Sequence, residues 1–171
     1  DIIDRRSIPI NPEDNVGDIH DRLMMLGAEL TIDTVQRILD GNLTTTPQDE
    51  LTKGVEPTPA PKIFKETCHI DWTRNARDIH NLVRGLSPYP AAWCELVSPD
   101  NDIKTIKIFT TAVTDDDASA EPGTIKSDNH RMLIACGDKW LEVLSLQLSG
   151  KRRMDTAEFL RGFNPAAYKA Q

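Results

Sequence analysis

Hydrophobic and polar positions change their period several times along this chain. Residues 2–10 (IIDRRSIPI) read as a strand or extended segment, punctuated by Pro9 and Pro12. Asn11 or Asn15 can then cap a helix, with Asp14 and Asp18 near its positive end. Val16, Ile19, Leu23, Leu26 and Leu30 recur at helical spacing, and Ile32, Val35, Ile38 and Leu39 continue the pattern. Gly27 is expected to divide this stretch into two helices, and Gly41 to end it. Residues 42–61 lose the period. Four prolines and five threonines with few large apolar side chains predict an extended surface strap.

A new unit begins near Lys62. Thr73 can cap a helix running to Arg84, with Ala76, Ile79, Leu82 and Val83 on its apolar face. Pro88 and Pro90 forbid its continuation. Five strand-like runs follow, at 91–97, 105–113, 123–127, 131–137 and 140–148. Ile106, Ile108 and Thr110 alternate with Lys107 and Phe109; Leu141, Val143 and Ser145 alternate with Glu142 and Leu144. Asp115, Asp116 and Asp117 are expected in a solvated loop, as are Glu121, Pro122 and Gly123. Asp155 or Thr156 starts a last helix that ends near Gly162. The fold class expected is α+β, mostly β: a small antiparallel barrel with flanking helices. The segments are 1–41, a linker at 42–61, and 62–171.

Composition narrows the possibilities. At 39% hydrophobic residues the chain can bury a core, and with only 5% aromatics that core is mostly aliphatic. No apolar run approaches the ~20 residues that cross a bilayer, and no signal peptide is visible. Cys68, Cys94 and Cys136 are far apart and read as buried thiols; metal-ligand spacing is lacking. The histidines His20, His69, His80 and His130 are scattered, and none needs a catalytic role. Trp72, Trp93 and Trp140 lie among apolar neighbours and are expected in the core rather than as stacking platforms. The chain opens on Asp1 inside a strand-like run, so a piece of a longer protein is expected.

Net charge is −7, unevenly spread. Residues 1–62 hold 6 basic against 12 acidic side chains, and residues 63–171 hold 14 against 15. The last 21 residues reverse the balance, with 5 basic against 2 acidic. Lys151, Arg152 and Arg153 stand in a row before the last helix. They read either as a solvated turn, with Arg153 paired to Asp155 or Glu158, or as a phosphate-facing cluster.

Several short motifs occur in a fixed order. They are Asp14-x-x-Gly17-x-x-His20-x-x-Leu23, Pro47-Gln48-Asp49-Glu50, Ala60-Pro61-Lys62-Ile63-x-Lys65-Glu66 and Ile70-Asp71-Trp72. Then come Val83-Arg84-Gly85-Leu86-x-Pro88-x-Pro90-Ala91, Pro122-Gly123-Thr124-Ile125, and Gly150-Lys151-x-Arg153-Met154-x-x-x-x-Phe159-Leu160. In that order and spacing the chain resembles the carboxy-terminal portion of the methionyl-tRNA formyltransferase family.

The resemblance implies an oligonucleotide-binding (OB-like) barrel over 62–171. It also implies that 1–41 is the last strand and helices of a Rossmann-like catalytic domain. The family moves the formyl group of 10-formyltetrahydrofolate to the α-amino group of methionine on initiator tRNA. Its catalytic Asn, His and Asp would lie upstream of Asp1, so this portion would bind and orient tRNA without catalysing. Lys62, Lys65, Arg84, Lys151, Arg152 and Arg153 are the candidate tRNA-binding residues. The expected partners are initiator methionyl-tRNA and the catalytic domain, in a cytoplasmic monomer that binds no metal, cofactor or membrane. The competing reading is a barrel module that holds a protein partner.

Overall fold

The computed structural model describes residues 1–171 in two units, Asp1–Lys62 and Ile63–Gln171. In the first, α1 (Val16–Leu39) is one continuous helix. Asn15 Oδ1 accepts from the N–H groups of Gly17 (2.7 Å) and Asp18 (3.2 Å), and Asp18 Oδ2 accepts from Asn15 N–H. This reciprocal cap satisfies otherwise orphaned donors. At the other end Gly41, at φ +70°, donates to Ile38 O and Asn42 to Arg37 O. Gly27 therefore does not divide the helix. One interior glycine costs about 1 kcal/mol, too little to break a helix capped at both ends. Ion pairs Arg22–Asp14 and Arg37–Asp4 also tie it to the preceding segment.

Of the strand or extended segment expected at 2–10, the structure has no regular strand, and pairing is limited to a single bridge, Ile2 to Thr46, because this unit offers no neighbouring strand. The strap is irregular apart from α2 (Gln48–Leu51). No helix of the chain is long and apolar enough to cross a membrane.

The second unit is a nearly closed antiparallel barrel with flanking helices. Its strands are β1 (Ala92–Val97), β2 (Ile103–Asp117), β3 (Ile125–Ser127), β4 (Met132–Ala135), β5 (Lys139–Leu148), β6 (Met154–Asp155) and β7 (Lys169–Ala170). The order is β3-β4-β5-β2-β1-β7, with β6 added to β5. Thr124, just before β3, bridges Lys169 of β7 and brings the two edges together. Closure removes the exposed edges that invite aggregation. Gly123 sits at this seam. Its N–H donates to Ala135 O, its C=O accepts from Ala170 N–H at 2.8 Å, and its φ is +84°.

The helix α3 (Ala76–Leu86) packs on β2, burying Ala76, Ile79, His80, Val83 and Leu86. It starts two residues later than a Thr73 cap suggests. The Thr73 hydroxyl is engaged by Asp71 (2.6 Å), so Asn75 caps the helix through Asp78 N–H at 2.7 Å. A β-bulge between Ile108 and Thr110 overturns the simple alternation of β2. Thr111, not Thr110, is buried and meets His80 Nδ1 at 3.0 Å. Asp115–Asp117 are strand rather than loop, since Asp117 pairs across to Lys139, whose ammonium donates to Asp115 O. The last helix, α4 (Thr156–Leu160), begins directly after Asp155, whose side chain makes no capping bond.

All three cysteines are buried free thiols, and burial pushes those of Cys94 and Cys136 up to about 12. A raised thiol pKa contributes stability below the unfolded value of 9.0, and that contribution is lost as pH climbs towards 12. Native protein at pH 8 is thus expected to react slowly with a thiol reagent at Cys94 and Cys136, and fully in denaturant. Fast native labelling of Cys94 would contradict its placement.

Candidate nucleic-acid interface

The outer face of β1, β2 and β5 gathers cations. In register, Lys107 of β2 lies between Trp93 of β1 and Gln147 of β5. Lys107 is exposed and its ammonium donates to Pro90 O at 3.1 Å. Lys65 reaches the same row from the chain entering the barrel. Its ammonium stands 4.9 Å over the Trp93 ring, and its C=O accepts from Trp93 Nε1 at 2.9 Å. On the far side Gln147 Nε2 donates to Lys151 O at 2.7 Å, anchoring the turn that carries Lys151. A cleft of about 220 Å³ is lined by Thr105, Lys107, Gln147, Ser149 and Gly150.

Two residues beyond Lys107, Phe109 supports Arg153, whose guanidinium lies 4.5 Å over the ring. Arg153 Nε donates to Ser145 Oγ at 2.9 Å and Nη2 to Thr110 Oγ1 at 3.4 Å. The bulge in β2 turns Thr110 outward to meet it. Arg153 is fixed by neutral groups, so its full charge stays available. Arg152 differs, because it forms an ion pair with Glu158. Both arginines line a cleft of about 460 Å³, with Asp155 and Glu158 on its rim. Of the two acidic partners considered for Arg153, Glu158 holds Arg152 instead.

Two further candidates belong to other elements. Lys62 belongs to the first unit. Arg84 lies in the last turn of α3 and donates Nε to Asn81 Oδ1 at 2.8 Å. Lys107 is the residue the sequence reading left out. Its outward phase in β2 was legible, but the neighbouring strands that place it between Trp93 and Gln147 were not.

Several cations elsewhere on the barrel meet carboxylates. Arg131 grips Glu142 with two bonds of 2.9 and 2.7 Å; Lys104 pairs with Asp102, Lys169 with Glu121 and Arg74 with Asp78. The Lys104 ammonium, then the Tyr168 hydroxyl, hold the Asp102 carboxyl below its ordinary range. On the face of Lys65, Lys107 and Arg153 the side-chain partners are ring, hydroxyl and carbonyl groups; elsewhere Lys126 lies over a ring, that of Trp140, at 3.9 Å. Trp72 and Trp140 are buried as expected, whereas Trp93 is only half-buried, with His69 against its ring at 4.4 Å. No group of three or more His, Cys, Asp or Glu residues could hold a metal ion.

Residues 62–164, which carry this face, match the family model described as formyl transferase, C-terminal domain. The chain belongs to that family. Relatives of the formyl transferase C-terminal domain include a methionyl-tRNA formyltransferase of Bacteroides fragilis, 46% identical over 165 residues, covering 96% of this chain and 51% of that protein. The methionyl-tRNA formyltransferase of Porphyromonas gingivalis is 35% identical over 165 residues, covering 95% and 51%. The chain therefore spans about half the length of the curated relatives it matches. A solved structure of a HypX variant from Aquifex aeolicus superposes with a TM-score of 0.64 at 15% identity, over 92% of this chain and 27% of that one. HypX in complex with tetrahydrofolic acid gives 0.56 at 17%, over 77% and 22%. At these identities the likeness is one of fold.

Proposed function

We propose that this chain is the RNA-binding portion of a methionyl-tRNA formyltransferase. Lys65, Lys107, Lys151 and Arg153 form a strip that holds the phosphate backbone of initiator methionyl-tRNA, with Arg152 beside it. The observation that carries this reading is the contrast in partners. Arg131, Lys104, Lys169 and Arg74 are matched by carboxylates, while Lys65, Lys107 and Arg153 come together on one face, rest on neutral groups and keep their charge for a polyanion. Phosphate contacts fix register and orientation without reading bases, so this part supplies affinity and alignment.

Formyl transfer to an amine needs a proton acceptor and a donor for the developing oxyanion within hydrogen-bond reach. The histidines here are dispersed: His20 is exposed beside Asp21, His69 lies on Trp93 and His80 meets Thr111. The folate donor, 10-formyltetrahydrofolate, and the reacting groups are assigned to the half of the relatives' length that this chain does not span. The protein acts in the cytoplasm, as a monomer.

Fluorescence anisotropy with labelled initiator tRNA tests the reading. At low salt the chain should bind, and with folate donor and charged tRNA it should transfer no formyl group. Absence of tRNA binding would contradict the proposal.

A further inference from the structure

Next to Lys107 the surface opens into a second recess of about 340 Å³, lined in part by Lys65, Tyr89, Pro90, Trp93, Thr105 and Lys107. Its chemistry differs from that of the phosphate strip. Tyr89 is 82% exposed, although a ring of that size ordinarily buries most of its surface. Pro88 and Pro90 flank it, and their fixed φ angles limit the backbone freedom that binding would remove. Trp93 cannot serve the same purpose, because Lys65 stands over its ring and His69 abuts it. The aromatic face left open is that of Tyr89.

Two ammonium groups border the recess and no carboxylate lines it. Glu66 adjoins Lys65 in sequence, and Glu95 pairs with Thr105 across β1 and β2. A ligand that joins a flat aromatic ring to an anion fits this combination.

We infer that the recess takes one unpaired nucleotide of the bound RNA, its base stacked on Tyr89 and its phosphate between Lys65 and Lys107. This rests on the RNA reading above and adds a distinct demand. The strip alone treats every stretch of backbone alike, whereas the recess rewards a base that is free of its helix. Paired bases present no open face to Tyr89, so a bulge, loop or chain end is required.

The test measures affinity for initiator tRNA in Tyr89→Ala, Tyr89→Phe and the unaltered chain. Stacking on one aromatic ring corresponds to about a five- to hundredfold change in affinity. Tyr89→Ala should lose that factor without changing the salt dependence, and Tyr89→Phe should keep wild-type binding. Thermal unfolding should be unchanged in both, since the ring is exposed. As competitors, a short RNA duplex carrying one bulged nucleotide should displace the tRNA better than the same duplex fully paired. That preference should vanish in Tyr89→Ala. Equal tRNA affinity of Tyr89→Ala and wild type, or equal competition by the two duplexes against wild type, overturns the inference and leaves the RNA reading standing. Failure of the unaltered chain to bind tRNA overturns both.

Discussion

The doubly substituted chain Lys107→Glu with Arg153→Glu is expected to lose about a hundredfold or more in affinity for initiator tRNA at low salt. A hydrogen bond to a charged group contributes about 1.5–3 kcal/mol, and each substitution adds repulsion where there was attraction. Arg153 carries the larger share. Phe109, Ser145 and Thr110 hold its guanidinium in place, so little side-chain entropy is lost when a phosphate arrives. Arg152→Gln should cost much less, because Glu158 already pairs with that guanidinium. Removing Arg153 uncovers Phe109, so Arg153→Gln provides a gentler comparison, and unfolding midpoints separate lost binding from lost fold. If Arg152→Gln weakened binding more than Arg153→Gln, the division of labour within the basic row would be wrong.

The second large effect concerns the barrel seam. Gly123→Ala is expected to destabilise the second unit by about 2–5 kcal/mol. A Cβ on Gly123 would lie 2.1 Å from Ala170 O, and the backbone there, at φ +84°, is one that L side chains rarely adopt. Relief requires β7 to move away from Thr124, which opens the barrel. For a unit of this size the midpoint of thermal unfolding should fall by about 10–20 °C. Gly85→Ala, in α3 with open space around the new methyl, should instead be neutral or stabilising by up to about 1 kcal/mol. Equal midpoints for Gly123→Ala and wild type would show that the seam does not hold the barrel closed.

Much of this architecture is legible in the residues. Apolar, strand-like runs between turn signals located all five longer strands; alternation was legible in β2 and β5, whereas β4 is buried at all four positions. The prolines bounding α3 and the glycine after α1 marked ends through their own backbone geometry. What escaped was set by partners distant in sequence. β7 is two residues long and has no pattern of its own; it exists because β1 and Thr124 accept it. The bulge in β2 follows from pairing with β5, so Thr110 and Thr111 exchanged roles. Gly27 was overrated as a breaker because the caps and ion pairs of α1 act together.

The site was legible to a similar degree. The row Lys151, Arg152 and Arg153 stood out, but its unequal members could not be told apart without Phe109, Ser145 and Glu158 around them. Lys107 was visible only as one polar position in an alternating strand. Its place beside Trp93 and Gln147 depends on strand order, which no local pattern encodes.

The salt dependence of tRNA binding tests the electrostatic account most directly. With four cations meeting phosphates, the logarithm of the association constant should fall linearly against the logarithm of salt concentration with a slope of about −3 to −4. In Lys107→Gln with Arg153→Gln the slope should shrink to about −2. A flat line for the unaltered chain, or the same steep slope in the double variant, would contradict a phosphate-binding role for this face.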